Sequence, residues 1–464
     1  MNRRFYKISN TQRDELGNVS YLRENDITSM GYASIILKCG MRFKSSPILQ
    51  IYSHLVFTST HNAVQESLCI AWSINGFKWF SSATDSDMTI LLARTPAGNL
   101  STFIAPLRKH DPSALNEFGN PDPNGQCLNG VRIQRLKNKL GTQSLPTTEL
   151  VLEEMRGWLI GEENRGIQEI SVLLNLSRIH TTSQAVGYAG RGLAVARAFA
   201  RVREVGAGIG GRMGLTDSSL HMKTLARMTT EYRRLILLHM FTVYILGLSE
   251  HPTENNADKG LTSALQALTP APKDIAPLLR VLTLLTKAYA CNSALILLFS
   301  CTESIGGVGY LLNEEQEYLN IARLYRDCGV LPISLKRPET GVQSIDALDK
   351  TIKQAFAFRG DAARFQSVVQ RWDKMKTRIA KETQANLVGK ARDLVWSVAE
   401  VLMAALLHVD ANNSGGAAEL EILQHYLEDK FSARERVGVT KREGLKKDVW
   451  IVYGEEHVKT TSNL

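Results

Sequence analysis

In the stretch Ile74-Asn75-Gly76-Phe77-Lys78-Trp79-Phe80-Ser81-Ser82-Ala83 a flat aromatic and a hydroxyl stand two residues apart. On a β-strand that spacing puts Trp79 and Ser81 on one face. A ring beside a hydrogen-bonding hydroxyl suits a flat heteroaromatic cofactor, which can be stacked while one of its ring nitrogens is addressed. A tryptophan at such a position is more often a core aromatic, so the two readings compete. A second constellation, Glu303-Ser304-Ile305-Gly306-Gly307-Val308-Gly309-Tyr310, sets three glycines after a helical run. Backbone without Cβ lets a ligand approach closely and N–H groups at a helix start favour phosphate, although a helix C-cap uses the same residues. Arg203 and Arg212 flank a third glycine-rich stretch, where a guanidinium could meet a pyrophosphate or simply border an exposed loop.

Two kinds of element are needed to position these residues, and the chain divides accordingly. Residues 1–55 show short apolar patches without a sustained period and read as an irregular or incomplete N-terminal segment. From 56 to 155 short β-rich runs alternate with turn residues, which predicts a small β domain. Asn75-Gly76 between two apolar runs predicts a hairpin there, and the Pro-, Asn-, Gly- and Asp-rich stretch from His110 to Gly130 predicts a long exposed loop. After Gly166 the apolar spacing turns helical, with Gly187, Ala189, Gly190 and Gly192 permitting close helix packing. Residues 156–342 therefore read as an antiparallel helical bundle and 343–464 as a helical extension with a basic tail. The expected fold is mainly α with a small β domain.

Composition bounds the function. The 464 residues are 44% hydrophobic and 22% charged, which is globular and excludes collagen, wholesale disorder and a coiled coil. A net charge of +9 suits a mildly basic enzyme or a weak polyanion binder. Six cysteines without CxxC or metal-ligand spacing read as reduced thiols of an intracellular protein, and no metal site is expected. The apolar stretches Leu235 to Leu248 and Ala288 to Phe299 are broken by polar residues and read as core helices rather than membrane spans. The polar N-terminus lacks an apolar h-region, so no secretory signal is expected. The expected compartment is the cytoplasm, with the mitochondrion and peroxisome left open.

The segments GFKWFSSATDSDM, KLGTQSLPTTEL and GGVGYL followed by NIARLYRD, in this order, resemble the acyl-CoA dehydrogenase flavoprotein superfamily, and most of all its alkylation-response, AidB-like branch. The resemblance covers roughly residues 56–350. It implies an FAD lying against the β domain, with Trp79, Phe80 and Ser81 at flavin-contact positions, and Glu303, Gly306, Gly307 and Gly309 in a segment that meets FAD partly across a subunit interface. It implies a homo-oligomer, tetramer or dimer, that dehydrogenates an acyl-CoA or related thioester between its α and β carbons. A carboxylate removes the α-proton while a hydride passes to the flavin, and electrons leave to an acceptor protein or oxygen. Arg178 falls where the family carries an arginine near the active site.

Three departures from the family pattern stand in the sequence. Phe57 to Gln65 lacks the acid and glycines of the family's flavin signature, leaving Thr58 as the hydroxyl counted with the cofactor set. The N-terminal helical domain that helps to form the acyl pocket is largely missing from the first 55 residues. Where the branch carries an Ile-Trp-Glu-Gly-Thr-like segment with the catalytic base, the chain reads Val330 to Val342; Arg337 stands at the glutamate position and only Glu339 offers a carboxylate nearby. Arginine accepts no proton at working pH. An enzyme of low activity, or a degenerate paralogue without FAD, would follow from those changes. The branch is also associated with DNA binding through its C-terminal helices, and Lys430 to Lys447 carries seven Lys/Arg against two Glu with Phe431, Trp450 and Tyr453 at hand. Weak, salt-sensitive DNA binding is the expectation there, a solvated basic tail its alternative.

Overall fold

The computed structural model describes residues 62–65, 71–116, 118–206, 211–251, 261–312, 320–332, 342–360, 362–382, 387, 390–431 and 441–454. The chain forms two compact units, one of residues 1–139 and 143–177 and the other of residues 140–142 and 178–464. The fold is mainly helical with a curled, mostly antiparallel sheet.

The strand unit is built from β1 (Asn62–Gln65), β2 (Trp72–Ser82), β3 (Met88–Arg94), β4 (Leu100–Pro106), β5 (Arg108–His110), β6 (Gln126–Leu128), β7 (Val131–Leu136) and β8 (Thr147–Ile160). The main sheet runs β2-β1-β3-β4-β8-β7, and β8, long enough to pair with β2, β4 and β7, curls it back on itself. Trp72, Ile74, Leu91, Phe103, Leu150 and Met155 fill its inside. Ile90 and Leu92 point the other way, onto Ile170 of α1 (Gly166–Val202). That two-sided burial is why β3 reads as a continuous apolar run instead of an alternating one.

Asn75-Gly76 makes no hairpin, contrary to expectation. Trp72–Ser82 is one strand, and its register against β8 shifts between Ile74 and Gly76. Gly76 has φ 152° and Glu154, in the shifted stretch of β8 across from Asn75, φ 56°, while the Asn75 side chain accepts the Glu154 N–H at 2.8 Å. The Asn-Gly signal here marks a β-bulge, which uses the same permissive backbone as a turn. The stretch after His110 is a short β5–β6 ribbon carrying side-chain-capped turns at Asp111, Asn116 and Asp122.

In the helical unit follow β9 (Glu204–Gly206), β10 (Arg212–Gly214), α2 (Ser219–Glu250), α3 (Ser263–Leu268), α4 (Pro272–Ser304), α5 (Ile321–Cys328), α6 (Val342–Ala357), α7 (Gln366–Lys381), α8 (Ala391–Ser414), α9 (Ala417–Phe431) and α10 (Lys441–Tyr453). A single apolar cluster runs from α1 through α2 and α4 to the helices of the extension. The small residues of α1 earn their place: a Cβ at Gly190 or Gly192 would collide with Tyr232 of α2 or Leu298 of α4. Pro272–Ser304 and Ala391–Ser414 are long and apolar enough to cross a membrane, yet 61% and 67% of their most apolar windows are buried inside the protein. Core helices account for both.

Several polar groups inside this core are paired. Arg233 of α2 grips Asp410 of α8 with two hydrogen bonds of 2.9 and 3.0 Å, and Thr242 bonds Thr286 at 2.7 Å. His239 shares a 2.9 Å hydrogen bond with Ser183, and burial holds both it and His180 down to about 4. Between roughly pH 6.5 and 4 the unfolded chain therefore binds protons on these two rings that the folded chain does not. Stability should fall as pH drops through that window, and His239→Gln should flatten the fall; urea midpoints at pH 7 and pH 5 measure it.

Candidate cofactor-binding site

The end of β2 carries the first candidate cluster. Between Lys78 and Ser81 the pairing with β8 slips again, from Lys78↔Leu150 to Ser81↔Thr148. The extra residue turns two consecutive rings outward, leaving Trp79 42% and Phe80 37% exposed in an edge-to-face pair 6.3 Å apart. Strict alternation, and with it the simple same-face relation between Trp79 and Ser81, is broken by this bulge. Ser81 is half-buried, and among the described residues its hydroxyl has no hydrogen-bond partner, whereas Ser82 next to it bonds Thr147 at 3.0 Å. An exposed indole, a second ring and an uncommitted hydroxyl thus share one strand end, which is a surface that fits a flat heteroaromatic group.

Sequence reasoning missed the charges around those rings. The Lys137 ammonium sits 3.3 Å from the centroid of Trp79 and 4.8 Å from that of Phe80, and the Arg135 guanidinium 5.7 Å from Trp79. Both cations bind the same Glu149 oxygen, Arg135 at 2.7 Å. Side chains of Lys137 and Glu149 are only 12% and 8% exposed. Hydrogen bonds from Lys137 and Arg135 hold the Glu149 carboxyl below its usual range, against the effect of burial. The signal was legible as Arg135-Leu136-Lys137, at and just past the end of β7, facing Thr147-Thr148-Glu149 on β8 once those strands are paired in register.

The glycine segment ends α4. Gly306 takes φ 67°, a left-handed conformation that favours glycine, and a short 3-10 turn covers Gly306–Tyr310. A Cβ on Gly306 or Gly307 would meet nothing within 4 Å, so their backbone faces open space; Gly309 is instead packed against the Thr302 carbonyl. Glu303 beside them is exposed. Arg203 and Arg212 lie at the β9–β10 ribbon, Arg212 exposed and paired with Glu204 at 3.1 Å. Arg178 is half-buried in the helical unit, where its charge, after burial, helps to lower the Lys287 ammonium. Thr58 and Glu339 lie outside the described residues, as do Arg337 and Ala207 to Gly210.

Two of the segments that carry the family resemblance meet. Gly141 of KLGTQS lies so close to the Arg326 carbonyl of RLYRD that a Cβ would overlap it, and the Thr142 N–H donates to Asp327 at 2.5 Å. Asp327 is also paired with Arg323 at 3.5 Å, and Asn320 caps this helix through the Arg323 N–H at 2.8 Å. These residues are joints of the helical unit, and Gly141 is a glycine because nothing larger fits.

The basic C-terminal stretch looks different in three dimensions. Phe431 stacks edge-on against Tyr426 at 6.1 Å under Arg371, Lys446 sits 4.8 Å over Trp450, and the Tyr453 hydroxyl donates to the Arg197 carbonyl at 2.8 Å. Lys447 pairs with Glu421 at 2.9 Å. Phe431, Trp450 and Tyr453 are thus engaged within the helical unit, while residues 432–440 of the basic stretch lie outside the described residues. The four described cysteines are free thiols, and burial pushes Cys291 up to about 11 and Cys301 and Cys328 up to about 12, so those three are unreactive.

Residues 164–335 match the family model of the acyl-CoA dehydrogenase C-terminal domain. The chain is 30% identical over 392 residues to acyl-CoA dehydrogenase family member 11 of Caenorhabditis elegans, covering 76% of this chain and 56% of that protein. It is 25% identical over 374 residues to AidB of Escherichia coli (strain K12), covering 77% and 60%. It therefore spans a little over half the length of these curated relatives. Among solved structures it is similar to Caenorhabditis elegans ACDH-11 in complex with C11-CoA, at 26% identity and a TM-score of 0.65, over 85% of this chain and 65% of that one. With a curled sheet followed by a helical unit that carries the matching domain, the chain belongs to the acyl-CoA dehydrogenase family.

Proposed function

We propose that this chain is an FAD-dependent oxidoreductase that dehydrogenates an acyl-CoA or related thioester. The observation that carries the cofactor assignment is the outward-turned pair Trp79 and Phe80 beside the uncommitted Ser81 hydroxyl. These three would hold the isoalloxazine ring. In the helical unit taken by itself, Gly306 and Gly307 have open space at their backbone and suit contact with a phosphate, and Arg203 and Arg212 are further candidates for such a contact. Bound FAD supplies a hydride acceptor, and everything else in the reaction falls to side chains. The C11-CoA bound by ACDH-11 supports an acyl thioester as the substrate class.

The chain must also remove a proton. Glu339 is the candidate base on its sequence position alone, with Arg178 the candidate cation near the thioester. A positioned base contributes roughly 10²- to 10⁴-fold. Glu339→Gln should lower the rate of anaerobic flavin bleaching by an acyl-CoA to that degree, as read by stopped-flow absorbance, without altering FAD content. An unchanged rate removes Glu339 from the mechanism.

A second copy of the chain is the partner that the helical unit's surface supports. Ile296, Phe299, Val308, Tyr310, Leu311 and Leu312 are all large, apolar and exposed around the end of α4. Purified protein passed over a sizing column with light-scattering detection tests this reading: a dimer or tetramer supports it, and a monomer at micromolar concentration rejects it.

A further inference from the structure

Lys137 occupies an unusual place for a lysine. Its backbone N–H donates to the Thr147 carbonyl at 2.7 Å, which extends the β7–β8 pairing past Leu136 and fixes where the side chain begins. Its ammonium is withdrawn from solvent, tethered to Glu149 and set 3.3 Å over the Trp79 ring with Phe80 at 4.8 Å. Lys139, two residues on, is spent on the Leu145 carbonyl and the Thr147 hydroxyl at 2.7 and 3.1 Å. Glu149 is shared with Arg135, so two cations stand against one carboxylate beside the exposed rings. The local charge is net positive, and its nearest member is immobilised between a buried carboxylate and an aromatic face.

We propose that Lys137 is a positioning residue for the flavin contact: locked by Glu149, it fixes the plane of Trp79 and keeps a positive charge beside the strand end where the isoalloxazine would lie. This rests on the flavin assignment above and goes beyond it by giving a role to a residue that never needs to touch substrate. A reduced flavin carries negative charge that an oxidised one lacks, so a fixed cation nearby favours the reduced form and raises the midpoint potential. Glu149 has a double part. It holds the ammonium in place and also offsets part of its charge.

The two residues therefore make opposite predictions. Lys137→Met removes the cation and should lower the midpoint potential of bound FAD and weaken FAD binding about tenfold, with Lys137→Arg restoring most of both. Glu149→Gln removes the negative charge and should raise the potential even though it loosens the tether. FAD titration followed by protein fluorescence, with potentials from dye-coupled reduction, reads each quantity on the full chain, and thermal melts confirm that each variant is folded. A merely structural cluster would move both variants the same way. If the native chain binds FAD while the two potentials stay put or shift together, the Lys137 proposal is overturned and the flavin assignment survives; if the native chain does not bind FAD, both fall.

Discussion

Arg234→Ala should destabilise the helical unit by about 3–5 kcal/mol, the cost of breaking a buried charge network from one side. Arg234 is 4% exposed on α2, and both terminal nitrogens of its guanidinium donate hydrogen bonds. It binds Glu231 on its own helix and the Tyr289 hydroxyl of α4 at 2.5 Å, and it lies 5.4 and 5.3 Å from the rings of Tyr289 and Tyr426. Burial works against its charge, but the Glu231 carboxylate beside it outweighs that and keeps it protonated. Burial pushes Tyr289 up to about 12 and raises Tyr426 well above the usual phenol range, so neither phenol ionises. The Tyr426 hydroxyl donates a hydrogen bond to the Glu400 carbonyl at 2.9 Å, and the Glu400 carboxylate accepts from Arg371 at 2.6 Å. One guanidinium thereby joins α2, α4, α8 and α9, and truncating it leaves the half-buried Glu231 and the buried Tyr289 without their partner. Arg234→Met, which refills the volume without charge, should cost less than the alanine. Urea unfolding by circular dichroism measures both, and a loss below about 1 kcal/mol for the alanine variant contradicts the network.

Trp79→Ala should separate binding from folding. Nearly half of the indole is already in solvent, so little core is lost and the melting temperature should move by no more than a few degrees. The same change removes the flat surface on which a cofactor ring rests. Stacking of a heteroaromatic base on an aromatic side chain is worth about 1–3 kcal/mol by alanine substitution, so FAD affinity should drop roughly 5- to 150-fold. Trp79→Phe should keep most of it. The pair of readings is diagnostic, since a core tryptophan would show the reverse: large loss of stability with no specific loss of flavin.

The sequence carried the order of units well and the local geometry less well. The short β-rich runs and the later runs of period three to four are set by which faces are buried, both faces in β3 and the face packed on α2 and α4 in α1. Asn75-Gly76 misled because a bulge and a type I′ turn ask the same thing of the backbone; only the partner strand, through Glu154, decides between them. The second bulge at Trp79 and Phe80 was invisible for the same reason, although its effect, two neighbouring rings facing out, makes the candidate site. Lys137 and Glu149 are twelve residues apart and meaningful only after β7 and β8 pair. The contact of Gly141 with Arg326 spans the fold even more widely. In the tail, composition showed aromatics beside a basic stretch but not that Phe431 and Tyr453 pack, partly buried, against the helical core.

The central claim is that this chain holds FAD, and the visible absorbance of the purified protein tests it most directly. The prediction is a yellow protein, or a colourless one that gains a saturable flavin spectrum on reconstitution with FAD and loses it in parallel with Trp79→Ala. A folded chain that stays colourless with excess FAD, and whose fluorescence does not respond to it, would contradict the assignment.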